Sequence, residues 1–239
     1  MSSIAQGQTH PRIADRWVVA VTLFLLTVGI GLDTWGPWWM QHALSAVTWA
    51  FFGALVATEA PRRRWELLAC LAIAWAGEYG LGNLVGLWEY RLSNLPLYIP
   101  PGHALVFASG LRLTRHAPRW LPVFIPALIA PYAVWGFVTG VDEAAIFLWV
   151  LLVACMAFGP DRRLYAVMFP FAMAIEVWGT AIGGWTYAPE WFGAATTNPP
   201  VGAPALYCLL DLLVRGAVAL RHRRKPAAVP QEASSPSYS

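Results

Sequence analysis

The lysines and arginines of this chain sit in short clusters, and the stretches between clusters are apolar for about the width of a membrane. Arg12 and Arg16 come first, then Arg62, Arg63 and Arg64, then Arg112, Arg115 and Arg119, then Arg162 and Arg163. The last cluster holds Arg215, Arg221, Arg223, Arg224 and Lys225; Arg91 alone stands apart. A spanning helix needs about 20 mostly apolar residues, and cytoplasmic loops carry the Lys/Arg excess. Spans near 16–34, 40–58, 65–87, 101–114, 120–139, 143–159, 164–185 and 201–220 put every cluster on one side. The opposite loops hold Asp142, Glu143 and Glu190. Removing one span would move every later cluster to the wrong side. The expected fold is all-α: a polytopic membrane protein of about eight transmembrane helices, multi-pass in the cell inner (plasma) membrane, with both termini cytoplasmic.

Composition agrees. Charged residues make up 12% of the 239 residues, and 58% are hydrophobic. A soluble domain carries about 25% charged residues, so this chain cannot cover a water-facing surface. The net charge of +3 is dispersed between apolar runs, which excludes a nucleic-acid partner and leaves the lipid bilayer as the natural surround. Cys70, Cys155 and Cys208 all lie in apolar runs, an arrangement that is no disulfide framework. No metal-binding spacing is present and no cofactor is expected. Met1 to Asp15 is polar, with no cleavage site of the secretory kind after it, and reads as a cytoplasmic segment. The tail over 223–239 reads as disordered.

Two segments repeat. Glu78 to Tyr90 reads E-Y-G-L-G-N-L-V-G-L-W-E-Y, with Pro100-Pro101 beyond; Glu176 to Tyr187 reads E-V-W-G-T-A-I-G-G-W-T-Y, with Pro199-Pro200 beyond. Both contain G-x-x-x-G-x-W-x-Y: Gly82, Gly86, Trp88 and Tyr90 in one, Gly179, Gly183, Trp185 and Tyr187 in the other. The copies lie an even number of spans apart, so they run the same way through the bilayer. The domain reading is two parallel four-helix repeats, 16–114 and 115–222, related by an axis along the membrane normal. Glycines four apart let helices approach closely in lipid, so the carboxylates should face a helix contact. The Pro-Pro pairs should sit in the first turn of the following span.

Ionisable groups inside spans are costly and default to function. Glu78 and Glu176 have no basic residue within a turn. A lone carboxyl in an apolar site stays protonated at neutral pH and can donate a proton; the alternative is structural hydrogen bonding across a helix interface. Asp211 has Arg215 at i+4 and is expected to pair with it. His103 begins a span and has two readings, as an interfacial residue or as part of a site, and His42 reads as incidental. Trp35, Trp38, Trp39, Trp88, Trp185 and Trp191 fall at outer span ends, where an aromatic belt is expected. No Lys lies in a span, which excludes a retinal Schiff base.

The segment Glu176–Tyr187 resembles the E-x-x-G-T-x-x-G…Y signature of the carotenoid-biosynthesis membrane family that includes carotenoid hydratases. Gly86 to Pro96 resembles the G-x-W-x-[FY] pattern of membrane lycopene cyclases. The resemblance implies an acidic residue at Glu176, and through the repeat at Glu78, that protonates a double bond of an isoprenoid. Hydration, cyclisation and isomerisation all begin that way. Trp75, Trp88, Trp178 and Trp185 would steady the carbocation by cation–π attraction, worth roughly 2 kcal/mol when desolvated. Tyr90, Tyr187 and His103 complete the expected substrate-binding set. A proton-coupled transporter of a small or lipidic molecule suits the same carboxylates, and a non-catalytic membrane partner is the third class. Substrate and oligomeric state stay open. Reporters fused after Arg115 and after Asn198 should signal from opposite sides of the membrane; signals from the same side would break the eight-span count.

Overall fold

A computed structural model describes residues 13–223; Arg12, Arg224, Lys225 and most of both terminal segments lie outside the described residues. The chain is mostly helical. The helices are α1 (Asp15–Trp35), α2 (Trp39–Thr58), α3 (Pro61–Leu84), α4 (Ile99–Leu113), α5 (Leu121–Thr139), α6 (Ala144–Phe158), α7 (Arg162–Ala181) and α8 (Pro204–Arg223). Five of them, α1, α2, α3, α5 and α7, are long and apolar enough to cross a membrane. Large apolar side chains such as Phe147, Val123 and Phe158 point outward. A surface of that kind requires an apolar surround.

The helix bounds differ from the expected spans by a few residues. The expected third and seventh spans run on to 87 and 185, but α3 stops at Leu84 and α7 at Ala181, because a glycine turn and a short strand follow each. Strands β1 (Trp88–Tyr90) and β2 (Trp185–Tyr187) pair antiparallel, Trp88 with Tyr187 and Tyr90 with Trp185. A second small ribbon joins β3 (Glu190–Trp191) and β4 (Ala194–Ala195). Pro100 and Pro101 lie in the first turn of α4, as the missing N–H favours. Pro199 and Pro200 do not match that expectation: they precede α8 in the loop, and Pro204 takes the first helical position.

The centre of the molecule is formed by α3, α4, α7 and α8, with α3 packed on α4 and α8, and α7 packed on α8 and α4. Polar ties at the two ends recur in matched form. At one end, Arg112 on α4 reaches Glu59 before α3 and donates to Asp15 at 2.9 Å. Arg215 on α8 donates to Glu66 at 2.8 Å and to Asp161, before α7, at 3.4 Å. At the other end, Asp33 on α1 accepts from the Tyr98 hydroxyl at 2.9 Å, and Asp142 after α5 accepts from Thr197 at 3.0 Å and from the Val201 N–H at 3.3 Å. Each tie holds the connection before α4 or α8 to an acid near the end of α1 or α5. Arg91, the basic residue outside the clusters, donates to the Asp33 carbonyl at 2.6 Å and lies 3.6 Å from its carboxylate. Its charge is therefore compensated where it stands.

Replacing Arg112 by Leu leaves Glu59 without its largely buried cation. Breaking such a pair costs about 3 kcal/mol. Thermal unfolding in detergent should show a clear loss for Arg112→Leu, and much less for the exposed Arg62→Leu.

Candidate active site

The repeated motif builds one local structure twice. After each helix a glycine adopts positive φ, Gly86 at 79° and Gly183 at 81°. That conformation is open to glycine without a Cβ penalty, and it turns the chain into the strand. Side chains two apart on a strand share a face, so Trp88 and Tyr90 point together, as do Trp185 and Tyr187. The ribbon extends symmetrically beyond its strands: the Arg91 N–H donates to the Gly184 carbonyl at 3.0 Å, and the Ala188 N–H to the Leu87 carbonyl at 2.9 Å.

Each strand returns its aromatic pair to the glutamate of its own repeat. Glu78 Oε2 accepts from Trp88 Nε1 at 3.1 Å and from the Tyr90 hydroxyl at 2.7 Å. Glu176 Oε2 accepts from Trp185 Nε1 at 3.0 Å and from the Tyr187 hydroxyl at 2.6 Å. Burial first, and then the adjacent carboxylate, pushes the Tyr90 phenol well above its ordinary range. The Tyr187 phenol shifts the same way for the same reasons. Both therefore remain hydrogen-bond donors at neutral pH.

The first glycine of each copy does not serve helix–helix approach, as expected from spacing. It makes room for the indole. A Cβ on Gly82 would stand 2.9 Å from Trp88 Nε1, and one on Gly179 would overlap the ring of Trp185. The copies also differ by one residue: Trp lies ten residues after Glu78 but nine after Glu176. The end of α3 from Glu78 to Leu84 is π-helical, whereas α7 stays α-helical to Ala181. A π turn absorbs one extra residue, which keeps the two glutamates in equivalent places despite the insertion.

The remaining partners break the symmetry. Glu78 Oε1 lies 2.7 Å from His103 Nε2, while Glu176 Oε1 accepts from the Tyr207 hydroxyl at 3.0 Å. His103 is the fifth residue of α4 and Tyr207 the fourth of α8, and their rings approach with centroids 4.9 Å apart. His103 Nδ1 is buried with no hydrogen-bond partner among the described residues. Glu78 is thus not a lone carboxyl; it orients an imidazole. Both glutamates, His103, Tyr207, Trp88, Tyr90, Trp185 and Tyr187 line a single cavity of about 240 Å³, whose remaining walls are mainly aliphatic residues of α1, α3, α4 and α8.

Two expected residues stand elsewhere. Trp75 faces outward on α3 against Trp49, and Trp178 donates to the Thr27 carbonyl at 3.2 Å and packs on Trp35. Neither lines the cavity, so the expected four-tryptophan surround reduces to Trp88 and Trp185. These two and Trp191 also leave the expected aromatic belt, because hydrogen bonding draws them inward: the Trp191 indole donates to the Leu87 carbonyl at 3.1 Å. Trp35, Trp38 and Trp39 are exposed as a belt requires. Tyr207 escaped notice in the sequence because it lies outside the repeated motif, inside an apolar run. No family model, no curated protein and no solved structure matches this chain.

Gly179→Ala forces the Trp185 indole from its seat. Overpacking of this kind costs about 1–3 kcal/mol. Trp fluorescence and thermal unfolding should both change, whereas Gly53→Ala, with open space around it, should leave both near the wild type.

Proposed function

We propose that this chain is a membrane-embedded enzyme that performs acid–base chemistry on a double bond of an apolar, isoprenoid-type substrate. The observation that carries the reading is the pair of carboxyls on one apolar cavity, one of them holding an imidazole whose second nitrogen has no partner. Glu176 is the acid. Trp185 Nε1 can only donate, so Oε2 serves as the accepting oxygen and the acidic proton sits on Oε1; the Tyr207 hydroxyl 3.0 Å away, which donates to the ionised carboxyl, rotates to accept from the protonated one. His103 is the base. Glu78 holds the proton on Nε2, which leaves the lone pair on Nδ1, the logic by which a carboxylate fixes a histidine tautomer.

The proton balance closes. Glu176 delivers a proton to one alkene carbon and the adjacent carbon becomes cationic. Trp88 and Trp185 line the cavity, and aromatic rings beside it favour the cation. Loss of a neighbouring C–H proton to His103 Nδ1 restores a double bond, giving isomerisation, or cyclisation where a second double bond has first attacked the cation. In hydration a water adds to the cation instead and gives its surplus proton to His103 Nδ1, leaving the alcohol. Return of the proton from His103 to Glu176 resets the site.

The architecture in this reading is eight crossing helices in two parallel halves, α1–α4 and α5–α8, with the basic clusters cytoplasmic in the inner (plasma) membrane. Support comes from the two-fold pattern of the β1–β2 ribbon, from the matched ties Arg112–Glu59 and Arg215–Asp161, and from Asp33 and Asp142 in corresponding places.

In cells that make a linear carotenoid, Glu176→Gln should stop conversion while the protein remains folded, and unchanged product would remove its acid role. His103→Gln should lose roughly a hundredfold or more, as removal of a general base does. A proton-coupled carrier would instead leave the lipid profile unchanged and move substrate with protons across vesicles, so the same lipid profile separates the two classes.

A further inference from the structure

The proposed chemistry names the groups that move a proton but not what admits the chain on which they act. Two glycines in the cavity wall bear on that. Gly77 stands directly before Glu78, and Gly102 directly before His103. Each is therefore the backbone step beside one partner of the Glu78–His103 hydrogen bond. Both are helical: Gly77 has φ −65° and ψ −48°, and the Gly102 N–H donates to the Tyr98 carbonyl at 2.9 Å. Neither takes the positive φ for which glycine is suited. Apart from proline, glycine is the poorest residue within a helix, so its presence in α3 and α4 needs another reason.

Close packing is such a reason for other glycines of the molecule. A Cβ on Gly29 would stand 2.7 Å from a Leu44 methyl, and one on Gly110 would overlap the Met168 sulfur. Gly77 and Gly102 differ. A Cβ at either would meet nothing within 4 Å, yet both line the cavity. On α4 every residue from Ala104 to Gly110 is buried, whereas Gly102 and His103 are only half-buried. The surface left open at these two is cavity wall, and the unpartnered His103 Nδ1 lies beside it. An apolar cavity of about 150 Å³ holds one benzene ring. The cavity here, about 240 Å³, is by that measure room for about ten carbons of a chain. It also reaches Leu213, which is 48% exposed on α8. A longer chain can leave there for the apolar surround, with one segment enclosed.

We infer that Gly77 and Gly102 are specificity-determining residues, whose missing side chains form the seat of an apolar chain segment of about two isoprene units. The segment lies over the backbone of α3 and α4 beside the Glu78–His103 pair, which brings a C–H of the chain to His103 Nδ1. The inference rests on the reading of this cavity as the site of an isoprenoid-type substrate, and adds which positions fix the girth of what enters. The helices tolerate glycine here because the room it leaves is filled when substrate is bound. A branched side chain at either position would occupy that room while Glu78, Glu176 and His103 all remain.

The experiment is photolabelling of the full chain in phosphatidylcholine vesicles with a geranyl ether that carries a diazirine, read by mass spectrometry of the labelled peptides. The wild type should be labelled on the cavity-lining parts of α3, α4 and α8, and excess geraniol should suppress the label. Gly77→Val and Gly102→Val should each lose about tenfold of it, the low end for one methylene too many in an apolar pocket. Gly77→Ala and Gly102→Ala should show a smaller loss. Both alanine variants should unfold at the same or a higher temperature, because each puts a better helix former into open space. Gly53→Val, on the exposed side of α2, should label as the wild type does. Glu176→Gln should keep the label, since binding precedes proton transfer. Unchanged labelling in the alanine variants and the folded valine variants overturns the seat and leaves the acid role of Glu176 standing. Lower unfolding temperatures in both alanine variants overturn it too, by showing that the glycines serve packing. Absence of geraniol-suppressible label in the wild type overturns the isoprenoid reading, and the seat with it.

Discussion

The structure depends on how two carboxyl groups are accommodated on a cavity whose other walls are mainly aliphatic. A buried acid without partners is expensive, and a charged one is more so. Here each repeat supplies its own donors. The helix bearing the glutamate ends in a glycine turn, and the strand after it brings an indole N–H and a phenol back onto the same carboxyl oxygen. The two strands then pair with each other, so the polar groups of both sites and the backbone of the ribbon are satisfied together. Loss of either glutamate would leave two donors of the ribbon facing an apolar wall.

On this near-symmetric frame the polar partners of the two glutamates differ. His103 and Tyr207 stand near the starts of α4 and α8, yet one is an imidazole and the other a phenol. Two equal carboxyls thereby come to sit in unequal environments, which is the general way a site separates an acid from a base. α8 also carries the buried acid Asp211, whose carboxyl oxygens have no hydrogen-bond partner among the described residues. Features that both copies of the motif share, such as the glycine turn and the strand of the ribbon, are those the local structure needs. Features found in one half are the ones that the proposed function draws on.

Much of the frame was legible in the chain. The apolar runs led to helices in the expected order, because the length of an apolar run and the cost of a buried charge are local properties. The E…G…G-x-W-x-Y repeat disclosed the important side chains for the same reason. Its physical meaning was not legible. Spacing four apart suggested helix contact, whereas Gly82 and Gly179 exist to seat a tryptophan that arrives by a turn and a strand. Trp75 and Trp178 stand close to the glutamates in sequence but face away from them, since a helix sends neighbours in sequence to different sides. Asp211 and Arg215 fit an i,i+4 pair on one helix, but the arginine found stronger partners on other elements.

By itself the sequence determined that this is a helical chain suited to lipid, that it contains a motif twice, and that few ionisable groups lie in its apolar runs. Those are consequences of composition and period, which act over a few turns of helix. Only the tertiary structure decided that both glutamates open on one cavity, that His103 belongs to Glu78 and Tyr207 to Glu176, and that Asp211 has no hydrogen-bond partner among the described residues. These are contacts between residues tens of positions apart, set by how α3, α4, α7 and α8 pack, and no local pattern encodes which of several polar side chains will meet when helices close around them.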